Sequence, residues 1–151
     1  MQRRTSLLLS LALLPCLASC TSGETGPPKE VVAPVSGTLT YQGQPLAYHA
    51  ITFLPADGRR PAIAVTDEQG TFRMTTNEEG DGAPPGHNKV GVAFAGPPSD
   101  APPGQEVPID NPADMPKPKV KIPAKYHSPE TSGLTVEVPE HGLTDYKLEL
   151  E

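Results

Sequence analysis

The amino-acid sequence predicts an all-β protein, an antiparallel β-sandwich of seven strands with one long proline-rich loop. The chain contains 14 glycines and 20 prolines among its 151 residues, a density that favours short strands joined by turns. Apolar and polar residues alternate in several short stretches, and no stretch repeats its apolar residues at the helical period. A hydrophobic fraction of 36% is sufficient for one core in a chain of this length.

Five strands are predicted before the proline-rich loop. They are the alternating stretches 35–41, 46–54, 62–66, 71–75 and 90–94. Residues 42–45 (QGQP) are predicted to form the turn between the first two strands. Residues 67–70 (DEQG) are predicted to close a hairpin between the third and fourth strands, because Asp accepts hydrogen bonds from the backbone ahead of it and Gly adopts a positive φ.

The remaining elements follow a long segment without apolar periodicity. Residues 96–119 contain eight prolines and are predicted to form an exposed, extended loop. An extended segment is then predicted from Val120 to Tyr126. The last two strands are predicted from two alternating sets of apolar residues, Leu134, Val136 and Val138, then Tyr146, Leu148 and Leu150.

The amino terminus has the pattern of an export signal. Arg3 and Arg4 precede the short apolar stretch 7–14 (LLLSLALL), which is too short to span a bilayer and is typical of a signal peptide. Residues 17–20 (LASC) resemble the bacterial lipobox, in which small residues precede a cysteine that carries lipid. We therefore expect residues 1–19 to be removed and Cys20 to be the lipidation site.

Two alternatives to lipidation at Cys20 remain open. Cys16 is a rival position, although Pro15 before it departs from the small-residue pattern, and the segment could be an ordinary secretory signal. After cleavage before Cys20, the chain would keep one acylated cysteine and form no disulfide. Residues 20–33 are expected to be the lipidated cysteine and a flexible tether, and residues 34–151 the folded domain. The residue after Cys20 is Thr21 and not the Asp that signals retention at the inner membrane, so the outer membrane is favoured as the location of the lipoprotein.

The charge of the chain limits its partners. The net charge is -6, which argues against nucleic acid, because binding to nucleic acid depends on neutralising phosphates. The same acidity argues against a polybasic contact with anionic lipid headgroups. The membrane contact expected from the sequence is therefore the lipid on Cys20.

Three stretches of the chain occur in a specific order and spacing, at residues 37–46 (GTLTYQGQPL), 51–53 (ITF) and 66–72 (TDEQGTF). Together they resemble the carboxypeptidase regulatory-like, or transthyretin-like (prealbumin-like), β-sandwich domain. Residues 122–126 (IPAKY) and 131–136 (TSGLTV) are similar to a narrower group of small bacterial lipoproteins that contain this domain. The resemblance covers about residues 34–150.

The resemblance implies roles in folding for three residues. Asp67 and Gly70 would shape a turn, and Phe72 would fill the core. His49 and Asn88 depart from the family pattern, because both are polar and both are predicted to point inward. Domains of this kind act mainly as accessory, binding or adhesive modules, so the resemblance implies no catalytic activity.

Few residues outside these motifs suggest chemistry. The four histidines, His49, His87, His127 and His141, are not spaced as adjacent metal ligands. Residues 78–82 (EEGDG) are rich in the oxygen atoms that calcium prefers but lack the calcium-loop order, so a solvated turn is favoured. Residues 116–119 (PKPK) are predicted to be a spacer, with a polyproline II ligand as the alternative. We expect no catalytic residues, metal or cofactor.

The sequence thus favours a non-enzymatic lipoprotein of the cell envelope with a structural or protein-interaction role. An envelope protein or a polysaccharide is the expected partner. The alternative is a ligand-binding accessory module, for example for carbohydrate. With no Trp in the chain, sugar-stacking platforms would have to come from tyrosines, and the candidates are Tyr41, Tyr48, Tyr126 and Tyr146.

Overall fold

A computed structural model describes residues 28–98 and 116–151 of the chain. The described residues form two four-stranded sheets in a sandwich-like arrangement, and they contain no α-helix. The predicted all-β class is therefore confirmed. Among these residues no helix is long and apolar enough to cross a bilayer.

The first sheet is built around β1 (Val35–Tyr41). One edge of β1 pairs with β2 (Gln44–Pro45) and β5 (Thr71–Arg73). The other edge pairs in parallel with β8 (Leu143–Leu150) along the whole length of β1. Pairing of β8 from Val35 to Tyr41 leaves only the opposite edge of β1 for β2 and β5. The two-residue strand β2 lies within the stretch predicted as a turn, so eight strands are found where seven were predicted.

The second sheet has the order β4-β3-β6-β7 and is antiparallel throughout. Its strands are β3 (His49–Pro55), β4 (Ala62–Val65), β6 (Gly86–Phe94) and β7 (Leu134–Val138). Each has the predicted alternation, with every second side chain turned into the core. This alternation arises because successive side chains of a strand point to opposite faces.

The prediction of an antiparallel sandwich is wrong for one pair, because β1 and β8 run parallel. The chain leaves β7 in the second sheet and reverses in a turn where the Gly142 N–H donates to the Pro139 carbonyl oxygen. The Leu143 N–H then donates to the Pro34 carbonyl oxygen. Strand β8 therefore enters the first sheet at the beginning of β1 and runs in the same direction.

The predicted hairpin between the third and fourth strands is also wrong, although its turn is correct. Strand β4 belongs to the second sheet and β5 to the first. The two strands are joined by an isolated bridge between Ile63 and Thr75, and by the Asp67 N–H, which donates to the Thr71 carbonyl oxygen. The turn therefore carries the chain from one sheet to the other at this side of the sandwich.

The segment predicted to be extended as far as Tyr126 ends in a short 3-10 helix, Ala124–His127. Tyr126 is buried in the core, and its hydroxyl donates to the Glu151 carbonyl oxygen at 2.6 Å. Pro129 packs on Gly91 of β6, where a β-carbon would clash with the proline ring. This segment therefore covers the half of β6 that β7 does not reach.

The core lies between the two sheets and contains side chains from both. Its largest fully buried apolar members are Phe53, Leu39, Leu46, Ile51, Met74 and Leu150. Burying one such side chain contributes roughly 1.5–3 kcal/mol relative to exposing it. His49 and Asn88 are also buried, as their positions in the strand alternation predicted.

The last residues of the predicted tether contact the domain. Ala33 is buried and forms an isolated bridge with Ala83. The backbone N–H of Glu30 donates to Asn77 Oδ1 at 2.8 Å, and Asn77 Nδ2 donates to the Glu30 carbonyl oxygen at 3.0 Å. The chain therefore joins the sandwich at the end where β1 and β6 begin, which we call the anchor end.

Candidate functional site

Cys20, the predicted lipidation site, lies outside the described residues, as do the signal peptide and most of the proline-rich loop. Lipidation stays a prediction from the sequence. The other predicted site residues, Asp67, Gly70 and Phe72, lie within the described ranges.

The turn at residues 67–70 has the predicted geometry. Asp67 Oδ1 accepts hydrogen bonds from the N–H groups of Gln69, at 2.9 Å, and Thr71, at 2.8 Å. Gly70 has a φ of +77°, and a β-carbon there would approach the Leu39 carbonyl oxygen at 2.7 Å. Phe72 is buried in the core. Asp67 and Gly70 therefore shape this turn, and Phe72 packs in the core.

The acidic loop at residues 78–82 is organised by one carboxylate. Asp81 accepts hydrogen bonds from the N–H groups of Thr76, Asn77 and Glu78 and from Asn77 Nδ2, over 2.7–3.1 Å. Desolvation acts to raise the pKa of Asp81, but these hydrogen bonds outweigh it and lower the pKa below its usual value. The oxygens of Asp81 therefore serve as acceptors for the loop backbone, which favours a structural turn over a calcium site.

The four histidines lie in different surroundings. His87 is exposed and pairs with Glu137 across β6 and β7 at 2.5 Å. His127 and His141 are exposed, and His49 is buried. Within residues 28–98 and 116–151, no three His, Cys, Asp or Glu side chains converge into a metal-binding group.

One of the four tyrosines that were candidates for sugar stacking is buried. Tyr126 is buried and its ring is covered by the Lys125 ammonium group, 4.6 Å from the ring centre. Tyr41, Tyr48 and Tyr146 are each partly buried. Tyr126 is therefore unavailable as a platform for a ligand.

A cavity opens at the end of the sandwich opposite the anchor end. It has a volume of about 580 Å³ and lies where β3 begins and β6 ends, at the pair His49 and Phe94. We call it the distal cavity. It is lined by Gln44, Pro45, Leu46, Ala47, Tyr48, His49, Glu68, Phe94, Pro97, Pro116, Lys117, Lys119 and Val120. Ligand pockets typically have volumes of about 300–1,000 Å³ and mostly apolar walls.

His49 is the buried polar group of this cavity. Its ring packs edge-on against Phe94, with ring centres 5.4 Å apart. Nδ1 lies 2.8 Å from the Ala47 carbonyl oxygen, which requires Nδ1 to carry a proton and donate it. Burial lowers the pKa of His49, opposed by the Ala47 carbonyl and reinforced by His127. Burial therefore favours the neutral imidazole, in which the free lone pair is on Nε2.

That lone pair has no partner among the described residues. Nε2 of His49 and Oδ1 of Asn88 are the two buried side-chain atoms there without a hydrogen bond. In both side chains the other nitrogen is bonded: Asn88 Nδ2 donates to the carbonyl oxygens of Pro84 and Gly86, and His49 Nδ1 to that of Ala47. His49 differs in that it lines the distal cavity. Buried polar groups are usually satisfied, so each exception requires an explanation.

The backbone beside His49 is held in an unusual conformation. Tyr48 has a φ of +59°, which is uncommon for a residue with a side chain. Its carbonyl oxygen accepts hydrogen bonds from the N–H groups of Ala95 and Gly96, and its hydroxyl donates to Glu68 Oε1 at 2.9 Å. That last hydrogen bond is the main cause of a raised pKa for Tyr48.

Thr66 connects the wall of the cavity to the second sheet. Its buried hydroxyl donates to the Leu46 carbonyl oxygen at 2.6 Å and accepts the His49 N–H at 2.9 Å. Thr66 therefore sets the position of the chain from Leu46 to His49. The sequence placed Thr66 at the end of a strand and gave no sign of this role, because its partners lie 17 and 20 residues away.

One of the segments that line the cavity is basic. Residues 116–127 contain four lysines and one histidine and no acidic residue, in a chain whose net charge is -6. Lys117 and Lys119 line the distal cavity. Lys121 and His127 line a neighbouring cavity of about 350 Å³, which shares His49 and Phe94 with the first.

The sequence offered only a partial signal for this site. The sequence predicts residues 116–119 to be a spacer, with a polyproline II ligand as the alternative, and it predicts His49 to be an unusual inward polar residue. What brings them together is packing between segments far apart in the chain, which no local pattern contains.

In comparisons with known proteins, no family model, curated protein or solved structure matches the chain.

Proposed function

We propose that this protein is a non-enzymatic lipoprotein of the bacterial cell envelope, cut before Cys20 and held to a membrane by lipid on that cysteine. Its domain would be a transthyretin-like sandwich with a structural or protein-interaction role. The outer membrane is favoured over the inner membrane as its location. Residues 17–20 (LASC) support the anchor, and the two-sheet arrangement supports the class of domain.

The observation that carries the interaction role is an apolar pair on the surface of β4. Ile63 and Val65 are each 57% exposed, and they point to the same side of the strand. They border a groove of about 670 Å³ between β4 and β5 that also includes Arg73 and Glu79. Exposed aliphatic side chains grouped beside polar residues are typical of protein contact sites.

The backbone hydrogen bonds around Ile63 and Val65 determine whether a partner contacts side chains or adds a strand to the sheet. The Ile63 and Thr75 backbones exchange two hydrogen bonds, at 2.9 and 2.8 Å, and Asp67 N–H donates to the Thr71 carbonyl oxygen at 2.9 Å. Both ends of this edge are therefore already hydrogen-bonded within the chain. A partner would contact the Ile63 and Val65 side chains and would not extend the sheet by adding a strand.

The anchor is tested by replacing Cys20. Cells that express the wild-type chain should incorporate labelled palmitate into it, and Cys20→Ala should abolish incorporation. Cys16→Ala serves as the matched control and should keep the label. Continued labelling of Cys20→Ala would reject the proposed lipidation site.

The interaction role is tested by photo-crosslinking in intact cells. A benzophenone amino acid at position 65 should give a discrete crosslinked product with an envelope protein. The same amino acid at Thr135, an exposed position on β7, should not. Absence of a product at position 65, or equal products at both positions, would contradict an interaction through this surface.

The second candidate is a ligand-binding module, and the distal cavity favours it. The cavity combines apolar walls, a buried imidazole with an unpartnered nitrogen, and lysines on one side. Its position at the end of the sandwich is independent of the apolar pair on β4, so the two roles are tested separately.

A further inference from the structure

The walls of the distal cavity are mostly apolar. Pro45, Leu46, Ala47, Phe94 and Val120 contribute to them. Removing apolar ligand surface from water against such walls is favourable, at roughly 25 cal/mol per Å². A ligand of this cavity is therefore expected to have an apolar body.

The charge around the cavity favours an anion. Lys117 and Lys119 line it, and Lys121 follows at the adjoining cavity. The acidic residue of the lining, Glu68, accepts a hydrogen bond from the Tyr48 hydroxyl at 2.9 Å. A cluster of lysines on a chain with a net charge of -6 would attract a negative group at this position.

The residues shared by the two cavities, His49 and Phe94, offer one further contact. His49 Nε2 is a buried acceptor without a partner among the described residues. Because Nε2 is enclosed, the neighbouring side chains must move before a ligand can reach it. A ligand N–H or O–H group that reached Nε2 would supply the missing partner, and an unmade hydrogen bond of a buried group is unfavourable.

We propose that the distal cavity binds a small organic anion that has an apolar body and a hydrogen-bond donor, such as an aromatic carboxylate with an N–H or hydroxyl group. This inference rests on the ligand-binding role proposed above and names its class of ligand. The apolar walls hold the body, the lysines attract the carboxylate, and His49 accepts the donor once the packing around Nε2 opens.

The ligand is a free molecule and not a headgroup of the anchoring membrane. Ala33 bridges Ala83 just before β6 begins, whereas His49 pairs with Phe94 at the end of β6. The nine residues of β6 span eight rises of about 3.3 Å, which separates the two ends by roughly 26 Å. The cavity therefore opens at the end farthest from the point where the lipid-bearing segment joins the domain.

The test uses fluorine NMR of the full chain in an uncharged detergent, with 5-fluoroindole-3-acetate as the probe. This probe carries an aromatic body, an N–H group and a carboxylate. Its counterpart, 5-fluoroindole-3-acetamide, has nearly the same shape and replaces the carboxylate with a neutral amide. We expect the carboxylate to bind saturably and at least fivefold more tightly than the amide.

Paired variants separate the lysines of the cavity from the general charge of the protein. K117A/K119A should weaken binding of the carboxylate by about five- to tenfold, as expected for two exposed charges, and should leave binding of the amide unchanged. K89A/K147A removes the same charge from exposed positions on β6 and β8 and should change neither. Equal losses in the two double variants would overturn the proposal.

A third variant tests whether the probe binds in the distal cavity. Ala47→Leu adds apolar volume to the lining and should weaken both probes, while its circular dichroism and thermal unfolding stay close to wild type. If Ala47→Leu is destabilised, Val120→Phe provides the same test from another segment of the lining. Unchanged binding in a folded filling variant would place the probe elsewhere and overturn the proposal.

The remaining outcomes distinguish this inference from the role on which it rests. Equal binding of carboxylate and amide would reject the anion class and keep the ligand-binding role. Binding of neither probe would reject both the anion class and the ligand-binding role. Lysine-dependent sedimentation with vesicles containing phosphatidylglycerol, but not with phosphatidylcholine alone, would assign the lysines to a membrane headgroup and overturn the proposal of a free ligand.

Discussion

Gly37 of β1 lies against the backbone carbonyl of Tyr146 in β8, so closely that a β-carbon at position 37 would overlap it. The contact lies where the parallel pairing of the two strands shifts register, between Val35 and Gly37. Because the overlapping atoms belong to the backbone, no rotation of a side chain could relieve the clash. Glycine at this position is therefore a requirement of the parallel pairing.

Gly37→Ala should lower the free energy of unfolding by about 2–3 kcal/mol, the upper part of the range for overpacking a well-packed site. Gly43→Ala is the matched control. Gly43 has a φ of +77°, and a β-carbon there would meet no atom within 4 Å beyond its chain neighbours, so this variant should lose only about 1 kcal/mol from backbone strain. Urea unfolding of the two variants measures the difference, and equal losses would argue against the close β1–β8 contact.

Asp67→Ala should lower the free energy of unfolding by about 1–2 kcal/mol, because the N–H groups of Gln69 and Thr71 would lose their acceptor. Asp67→Asn should lose less, since its amide oxygen can accept the same hydrogen bonds. Chemical denaturation compares the two variants. A loss for Asn as large as that for Ala would show that charge, and not hydrogen bonding, supports the turn.

The stability of the protein should fall in mild acid because of His49. Burial lowers the pKa of His49 from 6.5, so the folded state binds fewer protons at this site than the unfolded chain. The contribution of the neutral imidazole is complete above pH 6.5 and is lost as the pH falls from 6.5 through the folded-state pKa. The melting temperature should therefore decrease between about pH 7.5 and pH 5.

His49→Gln should make this decrease smaller, because glutamine does not titrate in that range. His141→Gln, at an exposed position, is the control and should keep the wild-type profile. Thermal unfolding at several pH values measures both. A His49→Gln profile that parallels wild type would contradict the assignment to His49.

Asp81→Ala should lower the free energy of unfolding by about 2–3 kcal/mol, because three backbone N–H groups and the Asn77 amide would lose their acceptor. Glu79→Ala, at an exposed position in the same loop, should change it by less than about 0.5 kcal/mol. Millimolar Ca²⁺ should leave the melting temperature of the wild-type protein unchanged. A calcium-dependent increase that Asp81→Ala abolishes would restore the calcium interpretation.

Much of the local structure is readable from the sequence. The faces of β1, β3, β6, β7 and β8 follow from their alternating residues, and the turn at 67–70 follows from Asp67 and Gly70. The inward positions of His49 and Asn88 follow from the same alternation. These features depend on neighbouring residues, so a local pattern contains them.

The sequence by itself determined the all-β class, the strand faces and the shape of the turn at 67–70, because backbone alternation and turn geometry act over a few residues. Only the tertiary structure decided that β8 runs parallel to β1, that β4 and β5 lie in different sheets, and that Lys117 and Lys119 line the same cavity as His49. The physical reason is that the choice of strand partner depends on how segments far apart in the chain bury their apolar faces together. That choice has no signature in any short stretch of sequence.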